Sequence, residues 1–217
     1  MPRSYDIVTF DCYGTLIDWE TGIRDAFVKE AARDGVSVGP GRVIDAYAAV
    51  EPAVERSYRP YREVLSATAI EVAQALGWRL DPQRARFLAD SLAAWKPFPD
   101  TNRGLEALRN AGVSLGILSN IDNDLLAATR RHFTVDFDLI VTAEDVRSYK
   151  PAHAHFLVAR ERIENRRWLH AAQSNFHDIV PANALGITTA WVNRKREKGE
   201  PPTIEVHDLE ELARRVT

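Results

Sequence analysis

The sequence contains one cysteine, Cys12, so no disulfide can form within the chain. A single thiol fits a reducing compartment, where structural disulfides are rare. Cys12 follows an aspartate, which invites a catalytic interpretation. Adjacent strand residues point to opposite faces, however, so we interpret Cys12 as a small packed residue beside the site, and not as a reactive thiol.

The sequence also lacks a long apolar run and an excess of positive charge. No stretch reaches the roughly 18 to 20 apolar residues of a membrane span, and residues 1–6 are not followed by a signal-peptide segment. We therefore expect no membrane association and a cytoplasmic location. The 28 Lys and Arg against 31 Asp and Glu give a net charge of −3. We expect no nucleic-acid partner, because no global positive field would recruit one.

The composition is that of an ordinary globular protein, with 45% hydrophobic and 27% charged residues. A chain of 217 residues fits one large domain, or a core domain with an insertion. It has no internal repeat and no low-complexity tract. Composition and length therefore do not indicate a function, and short sequence motifs are needed to predict one.

Within residues 7–16, an apolar run ends in Asp11, and Gly14 and Thr15 follow. This pattern predicts a buried strand that presents the Asp11 carboxylate at the edge of a sheet. Gly14 permits a positive φ, and the Thr15 hydroxyl can hydrogen-bond the carboxylate. Asp11 is thus a candidate nucleophile, and the alternative is an aspartate that only caps a loop.

The remaining sequence divides into a helical block and a block of alternating helices and strands. Helices are predicted over 19–33, 42–57, 61–76 and from Asp81-Pro82 to about 95. Beyond residue 97, strands are predicted at 113–118, 137–142, 168–172 and 188–192, with helices at 102–111, 123–132, 152–163, 178–185 and from 208. Repeated βα units indicate a parallel sheet, and the strand at 7–10 needs that sheet as its partner. The helical block is therefore an insertion.

Polar residues gather where the predicted strands end. Asp11 ends the first strand, Ser119-Asn120 ends the second, Lys150 comes after the third, and Asp178 comes after the fourth. Ligands of open α/β sheets bind at the carboxyl ends of the strands. We therefore expect these segments to form one site.

The segment 7–16 resembles the first motif of the haloacid dehalogenase (HAD) superfamily. Phosphatases of that superfamily carry a second acid two residues after the nucleophile, which acts as general acid and helps to hold magnesium. Here that residue is Tyr13, and the Asp-x-Tyr-Gly-Thr-Leu form resembles the (S)-2-haloacid dehalogenase type II branch, which cleaves a carbon–halogen bond without metal. The resemblance implies an α/β fold: a Rossmann-like HAD core in 1–17 and 97–217, whose parallel sheet is flanked by helices, and an inserted all-helical cap domain in 18–96. It implies no metal and no cofactor.

Three further segments resemble the other HAD motifs in order: Ser119-Asn120, Lys150-Pro151 and 173–178. By this resemblance the catalytic residues are Asp11, Lys150, Asp178, Thr15, Ser174 and Asn175, and the substrate-binding residues are Ser119, Asn120, Cys12, Tyr13 and His177. From the residues alone, Ser119-Asn120 can also cap a helix, and Lys150 can be an exposed loop lysine. His177 can be a base or can fill a position that is often aromatic in the family.

Two departures from the dehalogenase pattern bear on the substrate. The family has an Arg early in the second cap helix that cradles the halide, whereas residues 46–49 offer none. The candidates to replace it are Arg42, Arg56, Arg59 and Arg62. The family also has a Tyr six residues after the motif-three lysine, where this chain has Phe156. We further expect some of the cap residues Tyr47, Glu51, Tyr58, Tyr61 and Trp95 to select the substrate.

The leading hypothesis is hydrolysis of a small 2-halocarboxylic acid to a 2-hydroxy acid through an ester on Asp11. The alternatives are another small carboxylic acid opened by displacement, a magnesium phosphatase, which Tyr13 disfavours, and a non-catalytic binding protein on the same scaffold. The expected partner is a small-molecule carboxylate. The resemblance also allows a homodimer.

Overall fold

The computed structural model describes residues 4–217, and its centre is one sheet of six parallel strands. The strands are β1 Ile7–Phe10, β2 Ser114–Ser119, β3 Leu139–Thr142, β4 Trp168–Ala172, β5 Thr188–Val192 and β6 Ile204–Val206. Their order across the sheet is β3-β2-β1-β4-β5-β6. The chain therefore moves outward from β1 on one side and then crosses to the other side at β4. This places the topological switch point, where open α/β sheets bind ligands, between β1 and β4.

Ten α-helices and several shorter turns accompany the sheet among the described residues. The helices are α1 Trp19–Ala32, α2 Pro40–Val54, α3 Tyr61–Ala75, α4 Phe87–Ser91, α5 Thr101–Asn110, α6 Asn123–Arg130, α7 Ala143–Val146, α8 Ala154–Ile163, α9 Val180–Ala184 and α10 Leu209–Val216. Short 3-10 turns span Pro82–Arg84 and Leu92–Ala94, and a π turn spans Asn175–Ile179.

By its internal contacts the chain forms two compact units. The sheet unit contains residues 4–18, Pro97–Asn120 and Arg131–Thr217, and the helical unit contains Trp19–Lys96 and Ile121–Arg130. The sequence analysis assigned 121–130 to the core domain. The structure packs this segment with the helices instead, because the Asp122 carboxylate accepts hydrogen bonds from the backbone N–H groups of Tyr61 and Arg62 at 2.7 and 3.0 Å. Asp122 thereby satisfies unpaired N–H groups at the start of α3.

The core of the sheet unit is apolar because its central strands are covered on both faces. β1 is buried along its whole length, as expected for a parallel sheet flanked by helices. One cluster joins Ile7 of β1 and Leu118 of β2 to Phe156 and Ala159 of α8. Elsewhere α5 packs against α10, and a Cβ on Gly104 would lie 2.5 Å from the Leu209 Cβ and 2.7 Å from its carbonyl carbon. The close approach of these helices therefore requires glycine at position 104.

The helical unit has its own aromatic core. The ring of Phe27 on α1 lies edge-on to Trp78 and Phe87, with centroid distances of 6.5 and 5.1 Å. The α1 helix ends before Gly35, whose φ of 69° is the left-handed conformation that terminates helices. The helix predicted over 19–33 is confirmed.

Three local elements of the structure differ from what the sequence predicted. The helix expected over 81–95 is broken into two 3-10 turns and the five-residue helix α4, although Asp81 does cap the first turn through Gln83 N–H. The helix predicted over 152–163 begins later, since α8 starts at Ala154. The three-residue edge strand β6 was not predicted, since one polar residue between two apolar ones is too weak a pattern.

No helix within residues 4–217 is both long enough and apolar enough to cross a membrane.

Candidate active site

The carboxyl ends of β1, β2 and β4 bring the predicted site residues of the sheet unit together. Asp11 directly follows β1, Ser119 is the last residue of β2, and Asp178 lies in the π turn after β4. Lys150 reaches the same place from the segment after α7. All four residues are buried, with exposed fractions of 8% for Asp11, 2% for Lys150, and 1% for both Ser119 and Asp178.

Two side chains hold the Asp11 carboxylate, one on each oxygen. Lys150 Nζ donates to Oδ1 at 3.0 Å, and Thr15 Oγ1 donates to Oδ2 at 3.0 Å. The Thr15 hydroxyl also accepts the Gln173 backbone N–H at 2.9 Å. That bond directs the Thr15 proton toward Asp11, because the hydroxyl has one hydrogen to donate. The carboxylate is therefore fixed in direction and keeps lone pairs for reaction.

Lys150 uses all three of its N–H groups within the sheet unit. Besides Asp11, Nζ donates to Asp178 Oδ1 at 2.6 Å and to the Leu118 carbonyl oxygen at 2.8 Å. An ammonium has three donors, so none remains for a ligand. Lys150 can thus support the two carboxylates electrostatically but cannot also bind a substrate anion directly.

The charges in the site shift the pKa of each group. Burial raises the pKa of Asp11 and the Asp178 charge raises it further, while Lys150 opposes this rise, and the pKa ends above its usual value. Burial alone would lower the pKa of Lys150, but the two carboxylates outweigh it and raise the pKa. Burial likewise opposes ionisation of Asp178, but Lys150 and His170 outweigh burial and lower its pKa to about 2. Asp11 is therefore the more basic carboxylate, and hence the better nucleophile of the two.

Asn120 holds Lys150 in place through two hydrogen bonds. Its side-chain Oδ1 accepts the Lys150 backbone N–H at 2.7 Å, and its Nδ2 donates to the Lys150 carbonyl oxygen at 3.0 Å. The sequence analysis assigned Asn120 to substrate binding. In the structure its amide is occupied by the Lys150 backbone, so it positions the lysine.

Ser119 has a buried hydroxyl whose Oγ has no hydrogen-bond partner anywhere in residues 4–217. Buried hydroxyls are nearly always paired, so this oxygen is available to a ligand. The Ser119 carbonyl oxygen lies 3.2 Å from Nε2 of the buried His155. Burial lowers the pKa of His155 to about 3, with a further contribution from the Lys150 charge, so the ring is neutral and donates Nε2–H to this carbonyl.

The predicted site residues Ser174, Asn175 and His177, in or next to the π turn, have different hydrogen-bond partners. Ser174 caps the turn by accepting the His177 backbone N–H at 3.1 Å, and its Oγ also lies 3.0 Å from His177 Nδ1. Burial lowers the pKa of His177. Asn175 exchanges two hydrogen bonds with the backbone of Glu200, at 2.9 and 3.0 Å. The resemblance implies a catalytic role for Asn175, and in the structure both of these bonds hold the loop that carries Glu200.

Cys12 and Tyr13 lie in the turn after Asp11. Cys12 is fully buried, and burial raises the pKa of its thiol well above the usual value, which agrees with a packed residue. The thiol is therefore covered, and the substrate-binding role that the resemblance implies for Cys12 stays a prediction. Tyr13 is half-buried and forms a β-bridge with Ile17.

Several side chains predicted to select the substrate interact with each other inside the helical unit. The hydroxyls of Tyr47 and Tyr61 donate to Glu51 Oε1 at 2.8 and 3.1 Å, and burial raises the pKa of Glu51. Tyr47 and Trp95 are buried, whereas Tyr58 is half-buried.

Two of the four arginines proposed to replace the family's halide ligand are committed to partners in the helical unit. Arg62 pairs with Asp122 and with Asp124, and Arg59 donates to the Val54 carbonyl oxygen at 3.2 Å. Arg42 and Arg56 are exposed.

Sequence reasoning missed three supports of the site: the buried His155 and His170, and the half-buried Arg194. His170 Nε2 lies 3.0 Å from Asp178 Oδ1. Arg194 forms two 2.9 Å bonds with Asp100, donates to the Thr15 carbonyl oxygen at 2.8 Å and lies over the Phe98 ring. A histidine inside the apolar run of β4 was a detectable signal, because a buried polar residue needs a partner.

The described residues contain no group of three or more His, Cys, Asp and Glu side chains with the geometry of a metal site.

Comparison with known proteins identifies the family. The model of the haloacid dehalogenase-like hydrolase family matches residues 5–194. The chain therefore belongs to the haloacid dehalogenase-like hydrolases, and the resemblance seen in its motifs is confirmed. The structural comparison below likewise supports the expected HAD fold.

Two relatives and one solved structure illustrate the similarity. Haloacetate dehalogenase H-2 of Moraxella sp. (strain B) is 26% identical, over 88% of this chain and 87% of that protein. (S)-2-haloacid dehalogenase 4A of Burkholderia cepacia is 28% identical, over 96% of this chain and 90% of that protein. The L-2-haloacid dehalogenase of Xanthobacter autotrophicus, solved with chloropropionic acid covalently bound, has a TM-score of 0.83, 21% identity and 98% coverage of both chains. At that identity the last comparison supports the fold alone.

Proposed function

We propose that this protein hydrolyses a small 2-halocarboxylic acid to the 2-hydroxy acid through a covalent ester on Asp11. The observation that carries the proposal is the buried Asp11 carboxylate, held by Lys150 and Thr15, with Tyr13 at the position two residues later. A tyrosine cannot supply the carboxylate that a magnesium phosphatase needs there. The dehalogenase names of the relatives support the same reaction.

The first step is displacement at the carbon that bears the halogen. An Asp11 oxygen attacks this carbon, the carbon–halogen bond breaks, and halide leaves with the bonding electrons. Burial strengthens the nucleophile, because the carboxylate is poorly solvated, and Lys150 favours its ionised form. The unpaired Ser119 hydroxyl is the proposed donor to the substrate carboxylate.

The second step is hydrolysis of the ester. Water attacks the Asp11 carbonyl carbon and gives a proton to Asp178, and the bond from this carbon to the ester oxygen then breaks. The departing oxygen takes the proton and leaves as the hydroxyl of the 2-hydroxy acid. Asp11 loses its remaining proton to solvent, so the overall products are hydroxy acid, halide and one proton. Splitting the displacement in this way avoids attack by free water on a weak electrophile.

Halide release measured by ion chromatography tests the proposal. The substrates are chloro-, bromo- and fluoroacetate and both enantiomers of 2-chloropropionate, with EDTA present. We expect release by the wild type and a loss of at least about 1,000-fold in Asp11→Asn, because the nucleophile is removed. Asp6→Asn, which removes the negative charge that pairs with Arg167 at the other end of β1, is the matched control and is expected to keep activity.

A single turnover in ¹⁸O-water, with enzyme in excess, separates the ester route from direct attack by water. The ester route places unlabelled oxygen from Asp11 in the first product and ¹⁸O in Asp11. Labelled product in that turnover would refute the ester. No release from any substrate would refute the haloacid assignment and favour a non-halogenated acid or a binding role.

A further inference from the structure

A chain of hydrogen bonds, buried from Thr9 onward, links β1 and β4 to Asp178. Trp168 Nε1 donates to Thr9 Oγ1 at 2.8 Å, and Thr9 Oγ1 lies 2.9 Å from His170 Nδ1. His170 Nε2 lies 3.0 Å from Asp178 Oδ1. Thr9 and His170 are opposite each other in the parallel pairing of the two strands, and both are fully buried. The geometry of the sheet therefore holds the imidazole rigidly.

The partners determine which nitrogen of His170 carries the proton. An indole N–H can only donate, so Thr9 Oγ1 is the acceptor of the Trp168 bond. In the neutral form of the ring, the Thr9 hydroxyl donates its own hydrogen to His170 Nδ1, and the ring proton lies on Nε2. A carboxylate can only accept, so Nε2–H donates to Asp178. In this arrangement the side-chain polar groups of Trp168, Thr9 and His170 are all paired, and the bond to Nδ1 fixes the tautomer.

The two oxygens of Asp178 have different environments. Oδ1 receives both the His170 bond and the 2.6 Å bond from Lys150. Oδ2 is buried and has no hydrogen-bond partner within the described part of the chain. One oxygen is therefore anchored twice, while the other is an unused acceptor in a place where buried acceptors are normally paired.

We propose that His170 is a positioning residue for the hydrolytic step: it fixes the Asp178 carboxylate plane so that Oδ2 receives the attacking water. This inference rests on the proposed function. A carboxylate rotates easily about its last bond, and a single ammonium contact does not define its plane. Two donors on one oxygen, from Lys150 on one segment and His170 on another, restrict that rotation. The restraint matters most when Asp11 is esterified, because Lys150 then no longer faces a charged Asp11.

The test compares the two chemical steps in variants of His170, using 2-chloropropionate and rapid quench with intact-mass detection of the Asp11 adduct. His170→Leu removes the Nε2–H donor, whereas His170→Gln retains an N–H near the same place. In His170→Leu we expect adduct formation within about 2-fold of wild type and adduct breakdown slowed by about 10- to 100-fold, so that adduct accumulates. His170→Gln should restore most of the breakdown rate.

Two further variants distinguish a positioning role of His170 from a general loss of structure. Thr9→Val removes the hydroxyl that fixes the tautomer and should slow breakdown in the same direction, even if His170→Leu does not fold. Thr189 of β5 pairs with His170, and its hydroxyl donates to Asn183 of α9 at 2.8 Å and accepts the Thr203 N–H at 3.3 Å. Thr189→Val removes both bonds, and we expect it to leave both chemical steps unchanged.

The outcomes distinguish the inference from the function on which it rests. Wild-type turnover with unchanged adduct breakdown in His170→Leu and Thr9→Val would overturn the positioning role alone. Equal slowing of formation and breakdown would also overturn it, because it would indicate a structural role. Absence of halide release and of adduct in the wild type would overturn the proposed function and this inference together.

Discussion

The buried His155 is expected to make folding stability depend on pH. The structure lowers its pKa from 6.5 to about 3, mainly through burial and also through the Lys150 charge. Between these two values the unfolded chain binds a proton at this histidine and the folded protein does not. The stability contributed by neutral His155 is therefore complete above pH 6.5 and is lost as the pH falls toward 3.

The size of the effect follows from proton linkage. For a group with an unfolded pKa of 6.5 that remains neutral in the folded state, lowering the pH from 7 to 5 costs about 2 kcal/mol of unfolding free energy. His155→Gln removes the titrating group. Between pH 7 and pH 5, the unfolding free energy of the variant is expected to fall by about 2 kcal/mol less than that of the wild type, whatever the stability of the variant at pH 7.

The assay is urea unfolding at pH 7 and pH 5, followed by tryptophan fluorescence and far-UV circular dichroism together. Coincident transitions justify a two-state free energy. His207→Gln, a change at an exposed histidine, is the control and should follow the wild type. If His155→Gln and the wild type lose the same free energy between the two pH values, His155 is not held neutral and the reasoning is refuted.

Three further changes give distinct expectations. Gly104→Ala should lower the unfolding free energy by about 1–3 kcal/mol, since its Cβ would overlap Leu209, and unchanged urea midpoints would contradict this. Asn120→Ala should lower kcat by about 10-fold for the substrate identified by halide release and leave KM within about 2-fold, because the Asn120 amide holds the Lys150 backbone. A higher KM with unchanged kcat would indicate that Asn120 binds the substrate instead. Cys12 should react with a thiol reagent only in urea, and labelling of the native protein would contradict its burial.

The parts of the fold that could be read from the sequence are those with strong local patterns. The strands β1, β4 and β5 are short segments made mostly of apolar and β-branched residues, so this composition predicted their positions. The meeting of Asp11, Lys150 and Asp178 followed from one topological fact, that parallel strands end at the same edge. The predicted proximity of Asp11 and Lys150 is present in the structure at 3.0 Å.

The parts that could not be predicted depend on partners that are distant in sequence. Asn175 binds Glu200, and Asn120 binds the Lys150 backbone 30 residues away. No local pattern specifies which backbone group a side-chain amide will meet. The motif resemblance locates such residues near the site, but the direction of each side chain emerges only when the loops are packed.

The hydrogen bonds from Trp168 through Thr9 to His170 also constrain how this sequence can change over time. Removing one member leaves a neighbouring buried group unpaired, at a cost of about 1–3 kcal/mol, whereas replacing all members with apolar residues of matching shape can be nearly neutral. The effects of substitutions at these three positions are therefore expected to be epistatic. A lineage that abandons the histidine must pass through a less stable intermediate, unless the strand neighbours change with it.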